Sequence, residues 1–251
     1  MPLPLPKGLV IERDFAAEQE LHDKARAYLD KGSEKRTGIH ASDLISPRLT
    51  AWRRVSGDAG VPDHLVNMFV VGQLAHAIIE VIHAGDGTYL THGMDDGTKI
   101  YKDLHYSPDI LEYKGGPAEI KTTRSFYEPK AAYLPDDETF HAYFEQLMTY
   151  MAAENKVEGR LVMLYLNMKV DGRTRPQFYI WSVKTSPEAL AAFRRVLEQR
   201  MTQLSQALAD KTPNILPLCR PFLCRDCEYW SKCAPPGRFE HGQAKEKLWT
   251  A

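Results

Sequence analysis

Apolar and polar residues mix at helical spacing from about Asp14 to Leu29, and Gly32 is placed to stop that helix. A charged loop, KGSEKRTG, follows, and Ser42 or Asp43 is positioned to cap a short helix. Pro47 then opens another helix through Trp52, Arg53 and Arg54. The longest helical stretch, about Asp63 to His83, is apolar almost all round, which predicts a central, buried helix. Gly72, His76 and Glu80 recur every fourth residue on one of its faces, and Gly72 leaves room for another backbone. Residues 88–123 read as strands punctuated by Gly and Asp. A helix over about Asp137–Glu154 turns Phe144, Leu147, Met148 and Met151 inward, with Gln146 and Tyr150 on an adjoining face. Two strong β segments, 159–168 and 177–184, flank Asp171-Gly172, a hairpin signal. Ser186-Pro187-Glu188 opens a long amphipathic helix to about Asp210, and all four cysteines come after it. This order predicts an α/β fold: a mixed sheet flanked by helices, with a small Cys-rich end packed on the same body.

Composition changes that picture little. The 251 residues, 43% hydrophobic and 26% charged, suit one large domain or two small ones. The net charge of −1 excludes a globally basic nucleic-acid binder, so any such surface is a local patch. Arg53, Arg54 and Arg124, together with Arg48, are the candidates for phosphate contact; a solvated basic face is the alternative. No apolar run approaches the roughly 20 residues of a membrane span. The N-terminus MPLPLPKGLV has no secretory h-region, so a cytoplasmic protein without membrane partners is expected. All four cysteines fall between 219 and 233, which in an unsecreted chain points to a metal or cluster site over disulfides.

The chemistry concentrates in residues 103–123. Asp109 begins one predicted strand and Glu119-Ile120-Lys121 lies in the next, with Gly115-Gly116-Pro117 read as the turn between them. Such a hairpin aims two carboxylates and an ammonium at one point. Residues two apart in a strand share a face, so Glu119 and Lys121 point together while the Ile120 carbonyl lies between them. Carboxylate and carbonyl oxygens suit Mg²⁺ or Mn²⁺. A hard cation of that kind acidifies water and neutralises charge on a phosphoryl group, and Lys121 beside it can orient water or stabilise the same charge.

Gly72-x-x-x-His76-x-x-x-Glu80, Ser107-Pro108-Asp109, Glu119-Ile120-Lys121 and Gln146-x-x-x-Tyr150 occur in the order and rough spacing of one known family. Over about residues 40–235 the chain resembles the RecB-like branch of the PD-(D/E)XK nucleases. The resemblance implies a restriction-endonuclease-like fold and a metal-dependent DNA nuclease, an exonuclease on single-stranded or frayed DNA. It implies His76, Asp109, Glu119 and the Ile120 carbonyl as metal ligands and Lys121 as the catalytic lysine. Gln146 and Tyr150 are implied at the rim, with Glu80 nearby, positioning the lysine and DNA. The expected organisation is an arm and helix over 1–39, a nuclease core over 40–211, a Cys-rich segment over 212–237 and a tail over 238–251.

Cys224-x2-Cys227-x5-Cys233 is similar to the C-terminal trio of iron–sulfur nucleases in this branch, the CRISPR-associated Cas exonucleases and the AddB nuclease domain. Those proteins draw a fourth cysteine from upstream, where this chain has Ser46; Cys219 is the candidate replacement. The resemblance favours a structural [4Fe–4S] cluster, and the local spacing leaves Zn²⁺ as the alternative. Recombination, repair, CRISPR adaptation and phage DNA processing, in a prokaryotic or phage-infected cell, are the implied settings. The chain has no Gly-x-x-x-x-Gly-Lys motif, so a helicase or integrase-type partner would be a separate protein. The competing reading is a non-catalytic DNA-binding or partner module on the same fold; a zinc-ribbon scaffold would explain only the cysteines.

Overall fold

The computed structural model describes residues 15–33, 37–57, 63–84, 98–123, 138–170, 172–224 and 227–233. They fall into two compact units: Met1–Arg36 with Gly60–Val71, and Thr37–Ala59 with Gly72–Ala251. The first unit carries α1 (Phe15–Ser33) and the start of α3 (Asp63–Ala84). Helix α1 runs through Gly32 instead of stopping there, because glycine weakens a helix without obliging it to end.

In the second unit, β1 (Ile39–His40) leads through a 3-10 turn (Ala41–Leu44) into α2 (Pro47–Ser56). Pro47 opens α2 as expected, since the first helical position needs no N–H donor. His40, not Ser42 or Asp43, is the N-cap of the short turn, and Asp43 takes part from the third position, its carboxylate accepting the His40 backbone N–H at 2.8 Å in a capping box. β1, β3 (Leu104–Tyr106) and β2 (Lys99–Tyr101) form a small sheet in the order β1-β3-β2.

The main sheet has the order β4-β5-β6-β7, from β4 (Ile110–Tyr113), β5 (Gly116–Thr123), β6 (Glu158–Val170) and β7 (Arg173–Lys184). β5 and β6 are parallel, joined across α4 (Glu138–Glu154), and the other two pairings are antiparallel. The β6–β7 hairpin pairs Val170 with Arg173 across a turn that holds Gly172 (φ 74°), while the predicted turn residue Asp171 lies outside the described residues. A second long helix, α5 (Pro187–Ala209), starts where the Ser186 side chain accepts the Ala189 N–H at 3.1 Å. A 3-10 turn (Pro213–Ile215) and the one-turn helices α6 (Pro221–Cys224) and α7 (Trp230–Cys233) complete the described chain. This is the mixed sheet flanked by helices that the pattern predicts, with a minor Cys-bearing end.

Strand alternation sorts the core. Ala118, Ile120 and Val162 turn to one face of the sheet with Ile110 and Tyr113. Leu161 and Met163 turn to the other, packing with Leu147 and Met151 of α4 and Leu197 and Leu204 of α5. Glu119 pairs with Leu161 and Lys121 with Met163, so both polar side chains share the α4 face.

The tight turn falls one residue earlier than Gly115-Gly116-Pro117. Lys114 (φ 51°) and Gly115 (φ 96°) form it, and Gly116 already pairs with Tyr113 in β5. Gly116 is needed for another reason: a Cβ there would lie 1.8 Å from the Glu158 carbonyl oxygen. The three nearest atoms, in Glu158 and Gly159, are all backbone, so relief requires moving a strand. Gly116→Ala is therefore expected to cost about 3 kcal/mol, measured by urea titration; a change in midpoint too small to resolve would show that β5 has slack.

Helix α3 has its predicted extent but not its predicted burial. Val66 and Ala75 are buried, whereas Met68, Phe69 and Leu74 are 43%, 48% and 59% exposed. Apolarity on every side marks no single inner face, and packing covers only the sides that neighbours reach. Among the described residues Gly72 meets no other backbone: a Cβ there would stand 3.5 Å from the Thr122 hydroxyl, an ordinary contact with β5.

Candidate active site

The β4–β5 hairpin brings its carboxylates together by register. Ile110 pairs with Ala118, and one further step sets Asp109 against Glu119. Directly opposed residues of an antiparallel pair share a face, with Cβ atoms about 5 Å apart. Asp109 Oδ2 accepts the Ile120 backbone N–H at 2.6 Å, which fixes the carboxylate at the strand edge beside Glu119. Glu119 is 1% exposed, and the Lys121 ammonium pairs with its Oε1.

Charge dominates this pocket of the fold. Burial pulls the Lys121 ammonium toward losing its proton, but Glu119 and Asp109 outweigh it and the net shift is upward. Lys121 is thus a cation at neutral pH. Its Nζ stands 5.7 Å from the centroid of the Tyr143 ring. Tyr150 is pushed well above the ordinary phenol range, first by burial and then by the Glu119 and Asp109 charges. The Gln146 amide donates to the Tyr150 hydroxyl at 2.7 Å. Tyr150 is only 3% exposed, so it lies deeper than the rim implied for it, beneath the carboxylates. Tyr143 was not singled out by the sequence, although it precedes Gln146 by three residues and Tyr150 by seven on one helical stripe.

Two carboxylates and the Ile120 carbonyl are a donor set suited to a hard divalent ion. Among the described residues, no three His, Cys, Asp or Glu side chains are gathered closely enough to hold a metal. His76 and Glu80 lie on α3, but their side chains are outside the described residues, as is all of Arg124.

The arginines proposed for phosphate separate into different roles. Arg48 is 8% exposed and cannot meet a polyanion: it donates through Nε to the Leu216 carbonyl at 2.8 Å and through Nη2 to that of Asn214 at 2.7 Å. Arg54 bonds the Gly38 carbonyl at 2.7 Å and pairs with Asp43, and Arg53 lies 3.4 Å from Glu228. α2 begins as a helix with a basic face, yet its guanidiniums are drawn into the fold's own contacts.

Cys219, Cys224, Cys227 and Cys233, none of them in a disulfide, line one cavity with Leu49, Trp52, Tyr229 and Trp230. Burial pushes the Cys219 thiol up to about 11 and raises that of Cys227. Thiolates hold zinc or an iron–sulfur cluster, but no three of these four sulfurs are gathered closely enough to hold either as they stand.

A family model for the PD-(D/E)XK nuclease superfamily matches residues 100–234, more than half of the chain. The matched span holds Asp109, Glu119, Lys121, Gln146, Tyr150 and all four cysteines. The crystal structure of SSO0001 has a TM-score of 0.52 at 17% identity, covering 89% of this chain and 98% of that one. It shares the fold. An alkaline exonuclease, LHK-Exo from Laribacter hongkongensis, aligns at 14% identity and TM-score 0.39, over 77% of this chain and 95% of its own. The same exonuclease in complex with dAMP gives 14% and 0.40, over 71% and 91%. At those scores the two carry no weight here. No curated protein matches the sequence. With its mixed sheet, its Asp–Glu–Lys hairpin and the family match across both, the chain belongs to the PD-(D/E)XK nuclease superfamily.

Proposed function

We propose that this protein is a Mg²⁺- or Mn²⁺-dependent deoxyribonuclease of RecB-like type, acting as an exonuclease on single-stranded or frayed DNA. The observation that carries the reading is the convergence of Asp109, Glu119 and Lys121 at the edge of β5, within the span matched to the superfamily. Asp109, Glu119 and the Ile120 carbonyl, with His76 from α3, would hold the divalent ion. Bound there, the ion supplies an acidified water and neutralises phosphoryl charge. The chain's own residues do the rest. Lys121, kept protonated by its carboxylate neighbours, offers a fixed positive charge to a phosphoryl oxygen. Tyr150, held by Gln146 beneath Glu119, fixes the carboxylate's orientation and keeps bulk water from that side. In the same reading the four cysteines hold a structural [4Fe–4S] cluster, with zinc as the alternative, and any motor or integrase is a separate protein. The work fits recombination, repair, CRISPR adaptation or phage DNA processing.

End-labelled single- and double-stranded DNA, incubated with Mg²⁺ or Mn²⁺, tests the activity. Short products released from single-stranded or frayed ends, and none in EDTA, are expected. Salt-dependent DNA binding with no cleavage under either metal would make the protein a binding module instead. Metal analysis of anaerobically purified protein tests the second centre. Iron with a visible absorbance band is expected, and one equivalent of zinc without that band would replace the cluster by zinc.

A further inference from the structure

Arg48, Arg53 and Arg54 are engaged by the fold itself. The end of the β6–β7 hairpin carries a second concentration of positive charge. In the sequence from Leu166 to Gln177, Lys169, Arg173 and Arg175 stand against the single carboxylate of Asp171. That segment is net positive in a chain whose total charge is −1. Lys169, Arg173 and Arg175 are all exposed, although Lys169 and Arg175 also interact within the protein.

Strand geometry turns part of this charge toward the active site. Residues two apart in a strand share a face, so Arg173 and Arg175 lie on the same side of β7 as Tyr179 and Trp181. Tyr179 and Trp181 pack with Leu161 and Met163 on the α4 face, where Glu119 and Lys121 also lie. Between Tyr165 and Met168, β6 advances three residues while β7 advances only two, from Gln177 to Arg175. This bulge sets Pro176, which has no N–H to give, where the ladder lapses. It also returns Met168, 1% exposed, to the core face directly opposite Arg175. Register makes Lys121 level with Met163 and Tyr179. Four residues along and two strands across then put Arg175 about 16 Å from Lys121, and Arg173 about 22 Å. Both lie past Thr123, beyond the carboxyl end of β5, the side on which open sheets receive their ligands.

We infer that Arg173 and Arg175 form a second contact for the substrate, holding the phosphodiester backbone of a DNA strand whose reacting phosphate lies at Lys121. Two guanidiniums on one face, about 7 Å apart, repel each other, and a polyanion laid across them relieves that repulsion. Guanidinium forks match phosphate oxygens and leave the bases unread, so the contact is independent of sequence. At the 3.4 Å rise of a stacked strand, about 16–22 Å corresponds to about five to six nucleotides, and an extended strand covers it with fewer. This rests on the nuclease reading above and adds a length requirement to it: very short strands reach Lys121 or the hairpin end, and longer ones reach both.

The test uses the full chain in EDTA, so that the strand is bound and not cut. Fluorescence anisotropy follows labelled oligothymidines from a trimer to a fifteen-mer over a series of salt concentrations. Each phosphate neutralised on a single strand contributes about 0.7 to the slope of log K against log salt. Arg173→Gln with Arg175→Gln should therefore lower the slope for the fifteen-mer by about 1.4 and weaken its binding about twenty-fold at 0.1 M salt. The trimer should be affected far less. Arg173→Lys with Arg175→Lys keeps both charges and should retain the wild-type slope. Both side chains are exposed, so the urea midpoint should hold in either variant; a purely structural role would lower the midpoint and leave the slope alone. A Gln double variant with the wild-type slope, or equal weakening for trimer and fifteen-mer, would overturn the inference. Cleavage of the same strands by wild type with Mn²⁺ separates the two readings. A wild type that cuts DNA while the Gln variant binds as tightly loses only this contact. A wild type that neither binds nor cuts DNA removes the nuclease reading along with it.

Discussion

Replacing Asp109 by Asn will lower divalent-metal-dependent DNA cleavage about 10³-fold while leaving the protein folded. The substitution is isosteric, and the amide oxygen of Asn can still accept the Ile120 N–H that Asp109 Oδ2 accepts at 2.6 Å. What disappears is one of the two negative charges that would hold a divalent ion beside the reacting phosphate. Lys121→Met removes the positive charge from the same point and should lose activity on the same scale, again about 10³-fold. Both are assayed on end-labelled single-stranded DNA at saturating Mn²⁺, with a filter-binding measurement alongside. DNA binding should stay within a few-fold of wild type in Asp109→Asn, separating loss of chemistry from loss of contact. A variant that cleaves at a tenth of the wild-type rate or more removes its residue from the proposed site.

Much of this site was legible because its parts are local. Strand alternation alone puts Glu119 and Lys121 on one face, and a two-strand reading sets Asp109 near them; pairing along β4 and β5 agrees. Helix α4 was readable from its apolar stripe, and with it the Gln146–Tyr150 pair. What the sequence left obscure depends on packing over long separations. Arg48 looks like part of a basic surface with Arg53 and Arg54, yet its partners lie 166 and 168 residues away, and no periodicity signals that. The sequence points to a turn one residue too late because three turn-forming residues, Gly115-Gly116-Pro117, sit in a row. Only the approach of the Glu158 carbonyl shows that Gly116 serves close packing and not the turn. The exposure of Met68, Phe69 and Leu74 was hidden for the converse reason: a helix apolar on all sides carries no mark of which side is covered.

Lys121→Met, measured in EDTA, will destabilise the protein by about 3–5 kcal/mol, and adding Glu119→Gln to it will restore most of that loss without restoring activity. Glu119 is almost fully buried, and in the metal-free protein Lys121 is the cation that compensates it. Removing the cation alone leaves a buried carboxylate on the α4 face of the sheet, beside Leu161 in register and next to Tyr150. Removing both charges leaves an amide and a thioether of similar volume, which an interior accommodates at small cost. The pH dependence gives the sign. In wild type the Lys121 value lies above its unfolded value of 10.5, so the pair's contribution is fully present below that pH. It is lost only as pH rises through the folded value. In Lys121→Met the stranded Glu119 carboxyl is shifted upward by burial, so this variant should regain stability relative to wild type as pH falls. Urea titrations of the four members of the cycle from mildly acidic to alkaline pH check both statements. Equal losses in Lys121→Met and in the double variant would mean that Lys121 stabilises through its aliphatic stem and not through Glu119.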